Sequence, residues 1–202
     1  MPSQIDFWFS IGSTYTYLSV MRIDEVARQA GLTFRWRPFD VRTIMVEMNN
    51  IPFHTKPVKL RYMWRDVERR AALFGLPWSG IPPYPIKHLS LVNRVALSAT
   101  DEDWCADYVK AAYQSWFTGG QDPSVEPTLS DNLRAIGQNP DTVIARATSG
   151  EAKAALEAAT STARALGIFG SPTFVANGEL FWGDDRLEDA IGWHNRASTG
   201  SS

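Results

Sequence analysis

The chain has 202 residues, 44% of them hydrophobic and 21% charged, a balance that suits one globular domain with a sizeable core. A formal net charge of −2 gives no electrostatic reason for nucleic acid or an anionic membrane to be the main partner, and no apolar run is long enough to span a bilayer. The single cysteine, Cys105, excludes an internal disulfide and a dithiol redox couple, and no Cys/His cluster has zinc spacing, so no metal is expected. The opening residues MPSQIDFWFS lack the basic flank and apolar core of a signal peptide, which makes the cytoplasm the expected location.

In chain order, Ile5 to Phe9 reads as a buried strand. Thr14 to Gly31 reads as one helix, with Gly31 as its stop. Leu32 to Pro38 alternates apolar and basic residues and reads as a second strand. So short a β-α-β unit predicts a parallel pair with a right-handed crossover. Asp40 to Asn50 fits a short helix and Asn49 to Pro57 a loop. Val58 to Phe74 is a highly charged amphipathic helix ending at Gly75. Leu76 to Pro85 carries four prolines and must be irregular or extended. Helices are expected over Ile86 to Thr100 and Asp101 to Phe117, the second with Asp101-Glu102-Asp103 at its N-terminus. After a loop over Gly119 to Glu126, short helices fit Pro127 to Gly137 and Pro140 to Ala147. Ser149 to Leu166 is an Ala-rich helix. Thr173 to Ala176 and Glu179 to Trp182 are strands joined by the hairpin turn Asn177-Gly178. Asp185 to Arg196 is a last helix, and Ala197 to Ser202 reads as a disordered tail.

This order predicts an α/β domain of thioredoxin type, assembled from residues 1–40 and 167–196. An all-helical insertion over 41–166 interrupts it.

Three stretches are candidates for chemistry. Ser13 stands where the first strand turns into the first helix. A cap is what Ser does well there, and a bound anion near the helix N–H groups is the alternative. Gly170-Ser171-Pro172-Thr173 precedes a strand; Pro172 suits strand-edge punctuation, or a cis peptide that exposes the Ser171 backbone to an extended ligand. Gly183-Asp184-Asp185-Arg186 follows the hairpin. Its acids suit helix capping, or an ammonium group of an amino-acid head.

Phe9 to Leu18 resembles the opening of 2-hydroxychromene-2-carboxylate isomerases and kappa-class glutathione transferases, relatives of DsbA-like proteins. Ile168 to Phe174 resembles their cis-proline loop. Phe181 to Leu187 resembles their glutathione head-group motif. The charged helix with Lys59, Arg61 and Tyr62, following Asn50, is similar to theirs as well. The resemblance runs over nearly the whole chain and implies a glutathione-dependent isomerase of aromatic-hydrocarbon breakdown, with a small aromatic carboxylate as substrate and a homodimer as assembly. It implies that Ser13 contacts the glutathione sulfur and that Asn50 and Lys59 lie near the glutathione or the pocket mouth. Ser171, with Pro172, would pair with the cysteinyl unit, and Asp184 and Asp185 would bind the γ-glutamyl head. Two departures stand out: Thr14 where relatives often have proline, and Ser171 where they often have an apolar residue.

Where dithiol relatives carry Cys-X-X-Cys, this chain reads Ser13-Thr14-Tyr15-Thr16, and hydroxyls do not exchange disulfides. A serine can instead donate a hydrogen bond to a thiolate that a cofactor brings. Trp8, Tyr15, Trp78, Tyr84 and Trp182 are candidate pocket walls or core. Lys59, Lys87 and His88 could hold a carboxylate or lie on solvated helix faces. Glutathione transfer and noncatalytic glutathione or peptide binding are the competing functions.

Overall fold

The structure is a computed structural model that describes residues 4–51, 53 and 55–199. Its centre is strand β1, Gln4–Phe9, whose Ile5, Phe7, Trp8 and Phe9 are all buried. A strand apolar on both faces needs cover on both, so it belongs inside a sheet. Strand β2 (Thr33–Pro38) pairs parallel to it, with Ile5 opposite Phe34 and Phe9 opposite Pro38. On the other side β3 (Thr173–Ala176) pairs antiparallel to β1, and β4 (Glu179–Trp182) antiparallel to β3. The order β2-β1-β3-β4 therefore brings both ends of the chain into one sheet. The hairpin turn has Asn177 at φ 51° and Gly178 at φ 85°, the left-handed pair that a two-residue turn requires.

The predicted helix over 14–31 is two helices, α1 (Thr14–Val20) and α2 (Ile23–Ala30). Arg22 leaves helical geometry at φ −125° and ψ −7°. Its guanidinium lies 4.1 Å over the Phe74 ring, bonds the Asp184 carbonyl and pairs with Glu188. Those distant contacts outweigh one more helical turn. Gly31 ends α2 at φ 65°, the left-handed stop expected there.

Between β2 and β3 lie α3 (Val41–Glu47), α4 (Pro57–Leu73), α5 (Leu89–Ser98), α6 (Cys105–Phe117), α7 (Thr128–Ala135), α8 (Pro140–Thr148) and α9 (Gly150–Ala165). Two start several residues later than predicted, α5 at Leu89 and α6 at Cys105. The N–H groups of Lys87 and His88 bond Asp122 and Ser124 instead of opening α5. Asp101-Glu102-Asp103 stands before α6, and Glu102 accepts from the Trp104 indole and pairs with Arg146. The last helix, α10 (Leu187–Thr199), follows a 3₁₀ turn at Asp184–Arg186 and runs through 197–199, where the sequence predicts a disordered tail. The rest of that tail, 200–202, lies outside the described residues.

One apolar core joins the sheet to the helices. Tyr17 of α1 stacks on Phe117 of α6 at 4.1 Å, and Trp64 of α4 packs edge-on to Tyr84. A smaller cluster of Trp8, Phe39, Val41, Ile44, Ala163 and Ile168 seals the sheet against α3 and α9.

Candidate active site

The turn Ser10–Ser13 closes β1 and opens α1, with the Ser13 N–H bonded to the Ser10 carbonyl at 3.1 Å. Gly12 sits at φ 114°, a conformation that favours glycine, and a Cβ there would come within 2.7 Å of Leu89. Ser13 is extended (φ −79°, ψ 123°) and its hydroxyl caps no helix N–H. It donates instead to the Ser171 carbonyl at 2.6 Å. The cap reading of Ser13 therefore fails at the level of the side chain.

The Ser171-Pro172 peptide is cis. Ser171 is only 8% exposed, and its hydroxyl accepts the Ser10 N–H at 2.9 Å and pairs with the Thr16 hydroxyl at 2.8 Å. The Ser171 hydroxyl thus ties the loop to the turn. The Pro172 carbonyl accepts the Gly183 N–H at 2.9 Å, which anchors the acidic turn beside the same loop.

Two cavities meet here. The larger, about 530 Å³, has apolar walls that include Met45, Ile51, Phe53 and Leu60, and two cations, Arg42 and Lys59. Among the described residues no acidic side chain lines it, and Ser13 does. The smaller, about 320 Å³, is lined by Asp66, Arg70, Asp184 and Asp185. Tyr15, Ser171 and Trp182 line both. The Tyr15 hydroxyl donates to Asp66 at 2.9 Å, and burial pushes its phenol up, so it stays a donor.

Asp184 is 3% exposed and holds Arg70 at 2.7 Å. Burial pushes its carboxyl up to about 6, against the opposing pull of Arg70. A raised folded pKa stabilises the fold fully below the unfolded value of 3.8 and loses that contribution as pH rises through about 6. Two pKa units correspond to roughly 3 kcal/mol. Asp184→Asn should therefore flatten the decline in stability between about pH 4 and pH 7, read by urea denaturation across that range. Parallel curves for variant and parent would place the proton elsewhere.

Of the residues expected from sequence, Ser13, Lys59 and Ser171 line the larger cavity, and Ser171, Pro172, Asp184 and Asp185 the smaller. Asn50 is exposed and lines neither; its N–H bonds the Met45 carbonyl at 2.8 Å and finishes the turn after α3. Tyr15, Tyr84 and Trp182 are cavity walls. Trp8 is core, and Trp78 lines a separate groove with Trp64. Lys87 and His88 line another groove, which Arg42 and Leu89 share with the larger cavity.

Arg42, Asp66 and Arg70 were not singled out from sequence. Asp66 and Arg70, four apart, share a face of α4 with buried Met63 and Val67, a spacing that could have shown them turned inward. Arg42 carries no such signal.

Residues 4–190 match the family described as the DSBA-like thioredoxin domain. The chain is similar to a 2-hydroxychromene-2-carboxylate isomerase of Sphingobium xenophagum, 28% identical over 191 residues that cover 93% of this chain and 96% of the relative. It is similar to glutathione S-transferase kappa 1 of Caenorhabditis elegans, 23% identical over 200 residues, covering 91% and 87% respectively. A solved 2-hydroxychromene-2-carboxylate isomerase structure superposes with a TM-score of 0.85 at 26% identity, covering 98% of this chain and 99% of that one. The family match takes in all four strands, the helices inserted between β2 and β3, the cis-proline loop and the Ser13 turn; the chain belongs to the DSBA-like thioredoxin family.

Proposed function

We propose that the protein is a glutathione-dependent isomerase acting on a small aromatic carboxylate with a conjugated double bond. The substrate pair would be 2-hydroxychromene-2-carboxylate and trans-o-hydroxybenzylidenepyruvate, or a near analogue in aromatic-hydrocarbon breakdown. One observation carries this reading: a charged cavity and an apolar, cationic cavity share the walls Tyr15, Ser171 and Trp182, with Ser13 on the apolar side. The names of the relatives agree with it.

The charged cavity suits glutathione by its donor set. Asp185, whose side chain is 50% exposed, offers negative charge to an ammonium group, and Arg70 offers a cation to a carboxylate. Asp184 holds Arg70 in place. Ser171 and Pro172 supply the neighbouring backbone. When bound, glutathione supplies a thiolate that adds reversibly to a conjugated double bond and so allows rotation about it.

The chain's own part is positional and electrostatic. The Ser13 hydroxyl gives its proton to the Ser171 carbonyl in this structure, and turning about its C–O bond frees that proton for an anion. Arg42 and Lys59 attract the substrate carboxylate into an otherwise apolar space. Exclusion of water there strengthens both attractions. Residues 13–16 hold no thiol, so no disulfide exchange occurs at this turn. A cytoplasmic homodimer completes the proposal.

The purified protein, given glutathione and trans-o-hydroxybenzylidenepyruvate, should bring the pair to the same equilibrium from either side. Free thiol should be recovered in full after many turnovers. Stoichiometric loss of thiol would replace the proposal with glutathione transfer, which the kappa similarity favours. Binding without turnover would replace it with a noncatalytic module.

Asp185→Ala should weaken glutathione binding about fivefold, the scale of one partly exposed ion pair, and leave the rate at saturation unchanged. Calorimetry and a glutathione titration of the rate measure the two. Unaltered affinity would confine Asp185 to the turn before α10.

A further inference from the structure

Asn93, in the second turn of α5, is fully buried and spends its whole amide on the Ser13 turn and on its own helix. Its Oδ1 accepts the Ile11 N–H at 2.8 Å, and its Nδ2 donates to the Ile11 carbonyl at 3.1 Å. The side chain thus pairs both backbone groups of Ile11, as a neighbouring strand would. The same Nδ2 reaches the Ser10 hydroxyl at 3.2 Å and the Leu89 carbonyl at 2.9 Å. Leu89 is a wall of the larger cavity.

Tyr113 of α6 acts on the far end of the turn. Its hydroxyl donates to the Ser13 carbonyl at 2.9 Å and also approaches the Ser10 carbonyl at 3.3 Å. Burial pushes this phenol up, so its proton stays in place. From the opposite side the Ser171 hydroxyl takes the Ser10 N–H. A turn that could relax freely if it were exposed is held at Ser10, Ile11 and Ser13 by buried side chains. A mid-helix Asn is a poor helix former, so Asn93 is costly to α5 taken alone. Both partners come from the helical segment, not from the sheet that the turn belongs to.

We infer that Asn93 and Tyr113 are positioning residues: from the inserted helices they fix the backbone on which Ser13 stands, and so set how its hydroxyl meets the anion it serves. Neither side chain lines the cavities, so neither needs to touch substrate or glutathione. Through Leu89, Asn93 also ties a wall of the larger cavity to the turn. The inference rests on the glutathione-dependent reading above for its catalytic consequence, and on the unliganded protein for its structural one.

The test uses the full chain with Asn93→Ala and, as a change that removes one hydroxyl only, Tyr113→Phe. Three quantities are read: amide hydrogen exchange at Ile11 and Ser13 without ligand, the ultraviolet absorbance of glutathione thiolate on the protein as a function of pH, and kcat separately from KM. Expected are faster exchange at those amides in both variants, a higher pH for thiolate formation, and a kcat lowered about 10²-fold in Asn93→Ala. Tyr113→Phe should lose about fivefold, the scale of one neutral hydrogen bond. KM for substrate should hold near the parent value in both. If Asn93→Ala does not fold, Tyr113→Phe alone decides. Parental exchange at Ile11 and Ser13 overturns the inference whatever the enzyme does. Altered exchange with parental kcat and thiolate titration also overturns it, because the role is then structural. A parent protein that forms no glutathione thiolate sinks the proposed function instead, and the exchange data still judge the clamp.

Discussion

Ser13→Ala is expected to lower turnover by about 10²–10³-fold, the usual cost of one positioned donor to a reacting anion. The fold should survive. The hydroxyl makes one bond, to the Ser171 carbonyl, and caps no helix N–H. Losing one such bond in a partly buried place costs about 1 kcal/mol. Ser13 lines only the larger cavity, whereas the charged groups suited to the glutathione ends line the smaller. Glutathione affinity should therefore change little while kcat collapses. Calorimetry, thermal unfolding and steady-state rates on one preparation separate these effects. A fully active Ser13→Ala protein would remove Ser13 from the chemistry.

Arg70→Ala should destabilise the protein by about 3 kcal/mol at neutral pH. Removing one partner of a buried ion pair leaves the other charge without compensation, at a typical cost of about 3–5 kcal/mol. The lower end applies because the Arg70 side chain keeps 25% of its exposure while Asp184 keeps 4%. Arg70 also lies 5.5 Å over the Phe74 ring, a contact that truncation removes. The loss should shrink in acid. Burial already holds the Asp184 carboxyl near 6, and without Arg70 it moves higher still, so below about pH 5 a neutral carboxyl replaces the stranded charge. Urea denaturation at neutral and acidic pH reads the difference. Arg70→Ala combined with Asp184→Asn should recover part of the neutral-pH loss. An equal loss at both pH values would mean that packing on Phe74, not the ion pair, sets the energy. Glutathione affinity should fall in both variants, since the cavity loses its guanidinium.

These two residues were not equally visible beforehand. Ser13 stands at a strand-to-helix turn that local pattern alone located, and Asp184 and Asp185 follow a hairpin that Asn177-Gly178 announces. Both rest on short-range rules: an apolar run, a left-handed dipeptide, a break at Gly or Pro. The partners of those residues could not be read in the same way. Arg70 lies 114 positions from Asp184, and Ser171 lies 158 from Ser13. Asn50, matched by resemblance, is exposed and lines neither cavity, a placement that local pattern does not reveal.

The amino-acid sequence by itself determined the strands, the hairpin, most of the helices and the thioredoxin-type order with helices inserted in its middle, because each follows from periodicity and breakers within a few residues. It also determined that the Ser13 turn supplies no thiol of its own and exchanges no disulfide, because residues 13–16 contain no sulfur. Only the tertiary structure decided where the Ser13 hydroxyl points, that Ser171 binds the turn, that Arg22 breaks the first helix, and that Asn93 and Tyr113 hold the backbone beneath the serine. Each of those facts is a hydrogen bond or ion pair between groups far apart in the chain. Which buried polar group finds which partner is settled only when the apolar core closes around them and water is gone.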